Sequence, residues 1–192
     1  MDLGGINPVV LVASLMAGSV PILLAALGEL VAERSGVLNL GVEGMMITGA
    51  IGGFIIAVET GSPVLGFAGA ALAGAAMAAL FGVLVIGLLA NQVATGLALT
   101  LFGLGVASLA GQGYDGIKPP ATGKLSLGAL SEIPVLGPVL FGHDWVVYAS
   151  IAMTVAVWWL LRRTRAGLVI RAVGENHDAA HVEAVFTPMR AA

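Results

Sequence analysis

Between Glu59 and Asp115 the chain contains no Asp, Glu, Lys, Arg or His residue. A soluble domain needs about a quarter of its residues charged to cover its surface, so a stretch this long without charge is not expected to face water. The rest of the chain is similar: of 192 residues, 58% are hydrophobic and only 10% are charged, with a mean hydropathy of +1.02. We therefore expect the apolar residues to face lipid.

Charge and cysteine content exclude several classes of function. The net charge of −3 gives no basic face for nucleic acid. Cysteine is absent, which removes disulfides, thiolate metal sites and redox motifs. The first twenty residues contain Asp2 and no Lys or Arg, which is not the pattern of a cleaved signal peptide. We expect the first apolar run to stay in the protein as a membrane span.

Five apolar stretches reach the length of about 20 residues that a helix needs to cross a bilayer. The pair Asn91 and Gln92 is the break that we expect between the third and fourth stretches. The sequence therefore predicts an all-α, polytopic bundle of transmembrane helices, with spans at residues 8–27, 37–58, 64–90, 93–110 and 145–161.

Basic residues predict the orientation of these spans. Four arginines follow the fifth span, which places that end in the cytoplasm by the positive-inside rule. The N-terminus and a proline-containing loop at about residues 111–144 then lie outside, where the loop is a candidate docking surface. We divide the chain into a transmembrane region, 1–161, and a cytoplasmic segment, 162–192. The arginines are Arg162, Arg163, Arg165 and Arg171.

Small residues recur every four positions in three of the predicted spans. Lipid gives little hydrophobic drive for helix pairing, so such faces mark close contacts between helices. We expect a compact bundle packed through these positions, which are Gly49 and Gly53, then Gly66, Ala70, Gly74, Ala78 and Gly82, and finally Gly103, Ala107 and Gly111.

Glu43 is predicted to lie about two turns inside the second span, with Asn39 one turn earlier on the same face. A carboxylate inside a membrane is costly unless it faces water, a partner or the bundle interior. Two roles are open: the pair lines a solute pathway, or it forms a structural hydrogen-bond pair that fixes the helix. Three glycines flank the pair, at 36, 41 and 44, so local unwinding of the helix is expected there.

A polar segment follows the fifth span. Gly174 is expected to be a break in the secondary structure. Asn176 is then expected to cap a short amphipathic helix with Asp178 in its first turn. Such a helix suits a partner protein at the cytoplasmic face, although an interfacial helix without a partner fits the same pattern.

His177 and His181 have the spacing of the zinc-protease helix, with Asp178 in place of its glutamate. Aspartate is one methylene shorter than the usual general base, and only Glu183 follows as a third ligand. We therefore favour two solvated histidines, and we predict no metal site and no catalytic residue. There is no phosphate-binding loop either, because Lys118 stands where its first glycine belongs. If ATP drives this protein, another subunit must bind it.

Four stretches resemble, in order, the landmarks of permease subunits of ABC importers for nucleosides and simple sugars, a group related to branched-chain amino-acid and ribose permeases. The stretches are residues 28–46, 91–100, 133–142 and 171–176. The resemblance implies ATP-driven import in the bacterial inner membrane, with a separate ATP-binding subunit, a second permease subunit and an extracytoplasmic solute-binding protein as partners, and no cofactor bound by the chain itself.

The same resemblance assigns the solute pathway to Asn39 and Glu43, and contact with the ATPase to Gly174, Glu175, Asn176 and Asp178. Family members continue with further spans, so we expect a C-terminally truncated permease with impaired activity. A branched-chain amino-acid permease is the nearest alternative. A membrane metalloprotease and a structural membrane protein without transport are more distant ones.

Overall fold

The computed structural model describes residues 7–123 and 137–175. These contain six α-helices, with one π-helical turn directly after α3, at Val83–Gly87, and another before α5, at Gly137–Phe141. Five of the helices are long and apolar enough to cross a membrane, so the predicted all-α bundle with five spans is confirmed. The helices are α1, Pro8–Arg34; α2, Val42–Thr60; α3, Pro63–Gly82; α4, Gln92–Gly111; α5, Trp145–Arg163; and α6, Arg165–Glu175.

The chain divides into two compact units. The first unit is formed by Met1–Gly36 with Thr122–Ala192 and contains α1, α5 and α6. The second unit is Val37–Ala121 and contains α2, α3 and α4.

Within the second unit, turns and caps follow local chemistry. Gly61 ends α2 with a φ of 67°, which glycine adopts without steric cost, and Ser62 caps α3 just before Pro63. The Asn91 side chain accepts a 3.0 Å hydrogen bond from the Ala94 N–H. The predicted break between the third and fourth spans is therefore confirmed, and Asn91 is the N-cap of α4.

Helices α2 and α3 pack through glycines. A Cβ atom added at Gly49 would lie 3.1 Å from the carbonyl oxygen of Ala70, and one added at Gly53 would lie 2.7 Å from that of Gly66. Both glycines are buried. The predicted small-residue contact is thus confirmed over this part of α3. It ends before Gly82, where an added Cβ would have no neighbour within 4 Å.

In the first unit, α6 folds back at Thr164 and packs against α5 and α1. Gly167 is buried, and a Cβ added there would collide with the carbonyl oxygen of Leu160. One added at Gly174 would collide with the carbonyl oxygen of Arg34, the last residue of α1. The predicted break at Gly174 is wrong, because this glycine is helical, in the last turn of α6. Its missing side chain allows the backbones of α6 and α1 to approach.

Hydrogen bonds close the remaining described loop of the first unit. The Thr122 hydroxyl donates to Asp144 Oδ2 at 2.7 Å, and the Tyr148 hydroxyl donates to the carbonyl of Leu140 at 3.0 Å. The buried His143 ring nitrogen Nε2 lies 2.8 Å from the carbonyl oxygen of Val139. These bonds fix the chain on both sides of the N-terminus of α5.

Candidate functional site

Residues 37–41 form a non-helical segment, which we call the entry segment, before α2 begins at Val42. The prediction of a helix from residue 37 is wrong in this part. Asn39 Oδ1 accepts a 3.0 Å hydrogen bond from the N–H of Gly41. A side chain that bonds the backbone two residues ahead competes with helix formation, so Asn39 itself explains why the helix starts late.

Helix α4 holds the entry segment from one side. Gln92 Oε1 accepts a 2.7 Å hydrogen bond from the Leu38 N–H, and the Thr100 hydroxyl lies within 3.3 Å of the carbonyl oxygen of Leu40. A Cβ added at Gly96 would be only 2.9 Å from the backbone nitrogens of Leu40 and Gly41. Three backbone groups of the entry segment, the N–H of Leu38, the carbonyl of Leu40 and the N–H of Gly41, are thus hydrogen-bonded by protein side chains. Irregular structure within a membrane protein depends on such partners, because lipid offers none.

The first turn of α2 crosses α4 at two glycines. A Cβ added at Gly44 would lie 2.6 Å from the carbonyl oxygen of Leu99, and one added at Gly103 would lie 2.6 Å from that of Gly44. Unwinding was expected at positions 36, 41 and 44. The non-helical entry segment confirms it up to Gly41, but Gly44 is helical and serves as a contact.

Asn39 and Glu43 occupy different positions from those predicted. Asn39 precedes the helix, so the two residues do not share a helical face. It is half-buried, and its Nδ2 lies 3.5 Å from Met45 Sδ. Glu43 stands in the first turn of α2 rather than two turns inside, and it is exposed. A carboxylate at this end of a helix is stabilised by the helix dipole.

The two predicted pathway residues therefore make different kinds of contact. Asn39 shapes the backbone of the entry segment through its bond to Gly41. Glu43 offers an accessible carboxylate beside the first-turn N–H groups of α2, which begins without a side-chain cap. Together the start of α2 presents acceptors and donors of hydrogen bonds within a largely apolar unit.

Two of the four predicted coupling residues lie in the described part of α6. Gly174 and Glu175 are its last two residues, and both are exposed. Asn176 and Asp178 lie outside the described residues, as do the two histidines of the zinc-protease spacing. Within residues 7–123 and 137–175 there is no group of three or more His, Asp or Glu side chains able to hold a metal ion.

Sequence reasoning missed the α4 residues that build this site. Gln92, Gly96 and Thr100 belong to the stretch 91–100 that resembles a family landmark, but no contact with the residues before α2 is predicted for them. The available signal was polarity: a glutamine and a threonine within a stretch that has no charge are expected to find hydrogen-bond partners, because lipid offers none.

Comparison with known proteins identifies the family. The model of the family described as "Branched-chain amino acid transport system / permease component" matches residues 11–187. No solved structure matches the chain.

Three relatives carry more specific names. The chain is 41% identical to the putative glucose ABC transporter permease protein TsgC13 of Haloferax volcanii, over 88% of this chain and 52% of that protein. It is 34% identical to the guanosine ABC transporter permease protein NupQ of Bacillus subtilis, over 94% and 60%. It is 32% identical to the nucleoside ABC transporter permease protein NupC of Lactococcus lactis, over 89% and 57%.

The chain thus spans between about half and three fifths of the length of these relatives. The family model covers most of the chain, and five helices have the length and apolarity of membrane spans. This protein belongs to the permease-component family of branched-chain amino acid transport systems and is a multi-pass membrane protein.

Proposed function

We propose that the chain is a membrane permease subunit of an ATP-driven importer for nucleosides or related sugar-containing solutes. The observation that carries this proposal is the start of α2, where an exposed Glu43 stands beside uncapped first-turn N–H groups. Sugar hydroxyls both donate and accept hydrogen bonds, so they match this combination. The printed names of the three relatives support the same class of solute.

In this proposal the chain performs no covalent chemistry. A separate ATP-binding subunit hydrolyses ATP, a second permease subunit completes the pathway, and an extracytoplasmic binding protein delivers the solute. The importer operates in the bacterial inner membrane. The family description names branched-chain amino acids, which makes their transport the second candidate function.

An uptake experiment distinguishes the two. Membrane vesicles containing this chain with its cognate ATPase and binding protein are supplied with radiolabelled guanosine, glucose or leucine. ATP-dependent accumulation of guanosine or glucose supports the proposal, and accumulation of leucine alone supports the second candidate. In vesicles that hold a complete homologous permease, the change that corresponds to Glu43→Gln should reduce uptake at an unchanged membrane level. Glu33→Gln, an exposed carboxylate at the end of α1, serves as the control.

One result with the Glu43→Gln variant would contradict a pathway role for Glu43. A normal uptake rate per folded molecule, together with a large loss of folded protein, assigns Glu43→Gln a structural effect instead. Asn39→Asp is a useful second variant, because it keeps the Oδ1 acceptor for Gly41. If Asn39 acts on the backbone, this variant should still fold.

We also propose that Gly174, Glu175, Asn176 and Asp178 contact the ATPase. The supporting observation is the position of Glu175, exposed at the end of a helix that packs against both α1 and α5. A cysteine at Glu175 should form a crosslink to the ATPase, with a cysteine at Gln112, on the predicted outer side, as the control. Crosslinks only to lipid would contradict this proposal and favour the interpretation of α6 as an interfacial helix without a partner.

A further inference from the structure

The first unit contains a cavity of about 380 Å³ between α1, α5 and α6. Its apolar lining includes Leu27 and Leu30 of α1 and Trp158 of α5. Three arginines complete it, one from each helix: Arg34, Arg162 and Arg171. A single cavity therefore combines the side-chain walls of two membrane-spanning helices with three positive charges.

Hydrogen bonds within residues 7–123 and 137–175 do not use up the donors of these three guanidinium groups. Arg171 Nε donates a 3.3 Å hydrogen bond to the carbonyl of Gly167 in its own helix. This bond uses one donor of the guanidinium and leaves the others for a ligand.

We propose that this cavity binds the phosphate of an anionic phospholipid headgroup together with the upper part of one acyl chain. Guanidinium groups bind phosphate oxygens in pairs of parallel hydrogen bonds, which makes arginine a strong phosphate ligand. Basic pockets between membrane helices are a known form of lipid headgroup site. Trp158 adds an amphipathic ring of the type enriched at the level of headgroups.

The apolar walls decide between lipid and free phosphate. Leu27, Leu30 and Trp158 contribute nothing to the binding of a free inorganic ion, whereas they remove the first carbons of an acyl chain from water. The volume accommodates a headgroup and part of one chain but not two whole chains. Since α1 and α5 are membrane-spanning helices, they are surrounded by lipid, which is therefore the ligand available to this cavity.

Two glycines give the cavity its third wall. Gly167 permits α6 to pack on the end of α5, and Gly174 permits it to pack on the end of α1. Arg171 lies between them on α6 and lines the cavity. The position of this arginine is therefore set by the fold.

Native mass spectrometry of the purified full chain tests the proposal. Phosphatidylglycerol is added and compared with phosphatidylcholine of the same acyl chains, and inorganic phosphate is measured separately. The test variant combines Arg162→Gln and Arg171→Gln. The control combines Arg163→Gln, at the end of α5, with Arg165→Gln, at the start of α6, which removes the same charge from residues that do not line the cavity.

We expect the unmodified chain to prefer phosphatidylglycerol. A basic residue near an anionic lipid contributes about 1 kcal/mol, so binding should weaken about fivefold for each cavity arginine removed. The control pair should bind nearly as the unmodified chain does. Equal losses in the two pairs would mean a diffuse surface attraction and overturn the site. So would equal binding of the two lipids, or inorganic phosphate bound as tightly as phosphatidylglycerol.

Fluorescence gives a second, independent measurement. Brominated phosphatidylglycerol should quench the emission of Trp158 more than brominated phosphatidylcholine does. Trp158→Phe should abolish this difference, and Trp159→Phe, on a neighbour that does not line the cavity, should preserve it. The opposite pattern contradicts the proposal. If the glutamine pair does not fold, Arg162→Lys with Arg171→Lys keeps the charges but not the paired hydrogen bonds. This folded variant should prefer phosphatidylglycerol less strongly than the unmodified chain does, and equal binding of the two lipids contradicts the site.

Discussion

Gln92 Oε1 accepts a 2.7 Å hydrogen bond from the backbone N–H of Leu38, across 54 positions of sequence. Through this bond the first residue of α4 holds the non-helical entry segment in place. The entry segment is thus stabilised by a partner helix, since its own residues cannot supply helical hydrogen bonds there.

Gln92→Ala should lower the free energy of unfolding by about 1 kcal/mol, the typical net contribution of one hydrogen bond. Unfolding of the purified protein by a denaturing detergent measures it. Gln112→Ala, at an exposed glutamine just after α4, is the control and should have little effect. Similar losses for both variants would show that the bond to Leu38 contributes no specific stability.

Gly103→Ala should destabilise the protein by about 1–3 kcal/mol, the usual cost of overpacking. The new Cβ would meet the backbone of Gly44 at 2.6 Å, and backbone cannot rotate away. Gly105→Ala is the matched control in the same helix, because an added Cβ there has open space. The control should be neutral or gain up to about 1 kcal/mol from helix propensity. A neutral Gly103→Ala would contradict the close crossing of α2 and α4.

Tyr114 should titrate above its ordinary range. Its hydroxyl donates a 2.8 Å hydrogen bond to Glu59 Oε1. This bond, partial burial and the negative charge of Glu59 raise the pKa of Tyr114, in that order. The folded pKa therefore exceeds the unfolded value of about 10, so the stabilisation is complete below about pH 10 and is lost as the pH rises through the folded pKa.

The ultraviolet absorbance of tyrosinate measures this titration, and Tyr114→Phe assigns it, since the chain has only two tyrosines. Glu59→Gln should lower the pKa of Tyr114 because the neighbouring charge is removed. An unchanged titration in that variant would contradict the contact.

Gly174→Ala should disturb the packing of α6 on α1. The added Cβ would collide with the carbonyl oxygen of Arg34 and lie 3.0 Å from the nitrogen of Gly36. We expect a loss of about 1–3 kcal/mol and faster proteolysis near α6. Gly28→Ala, in α1 with open space around it, should leave both quantities nearly unchanged. If proteolysis is the same in both variants, α6 is not held through Gly174.

The orientation in the membrane is a prediction from the arginines after α5. The chain has no native cysteine, so single cysteines report cleanly. A cysteine at Ala166 should react with a membrane-impermeant reagent only from the cytoplasmic side, and a cysteine at Gln112 only from outside. The reverse pattern would invert the whole topology.

Hydropathy predicted the five membrane helices because their length is set by the bilayer, and that requirement is visible in any long apolar run. It did not reveal the entry segment. Val37, Leu38 and Leu40 are as apolar as helical residues, and the hydrogen bonds from Gly41 to Asn39 and from Leu38 to Gln92 are not visible in their hydropathy. The depth of Glu43 was misjudged for the same reason, since it was counted from a helix start five residues too early.

Glycines were the second source of error. The sequence predicts unwinding at Gly44 and a break at Gly174, whereas each is a contact between helical backbones. A glycine that permits φ above zero and a glycine that permits close approach look identical in sequence. Only the position of the partner, Leu99 for one and Arg34 for the other, tells them apart.

The length of α1 makes the first unit sensitive to bilayer thickness. Its 27 residues extend about 40 Å at 1.5 Å per residue, against a hydrocarbon core of about 30 Å. The surplus lies in its final turns, which carry Glu29, Glu33 and Arg34. A thicker bilayer draws these charges toward hydrocarbon, and a thinner one makes the helix tilt to cover its apolar part. Lipids of different chain length should therefore act on this protein mechanically, through the inclination of its first helix.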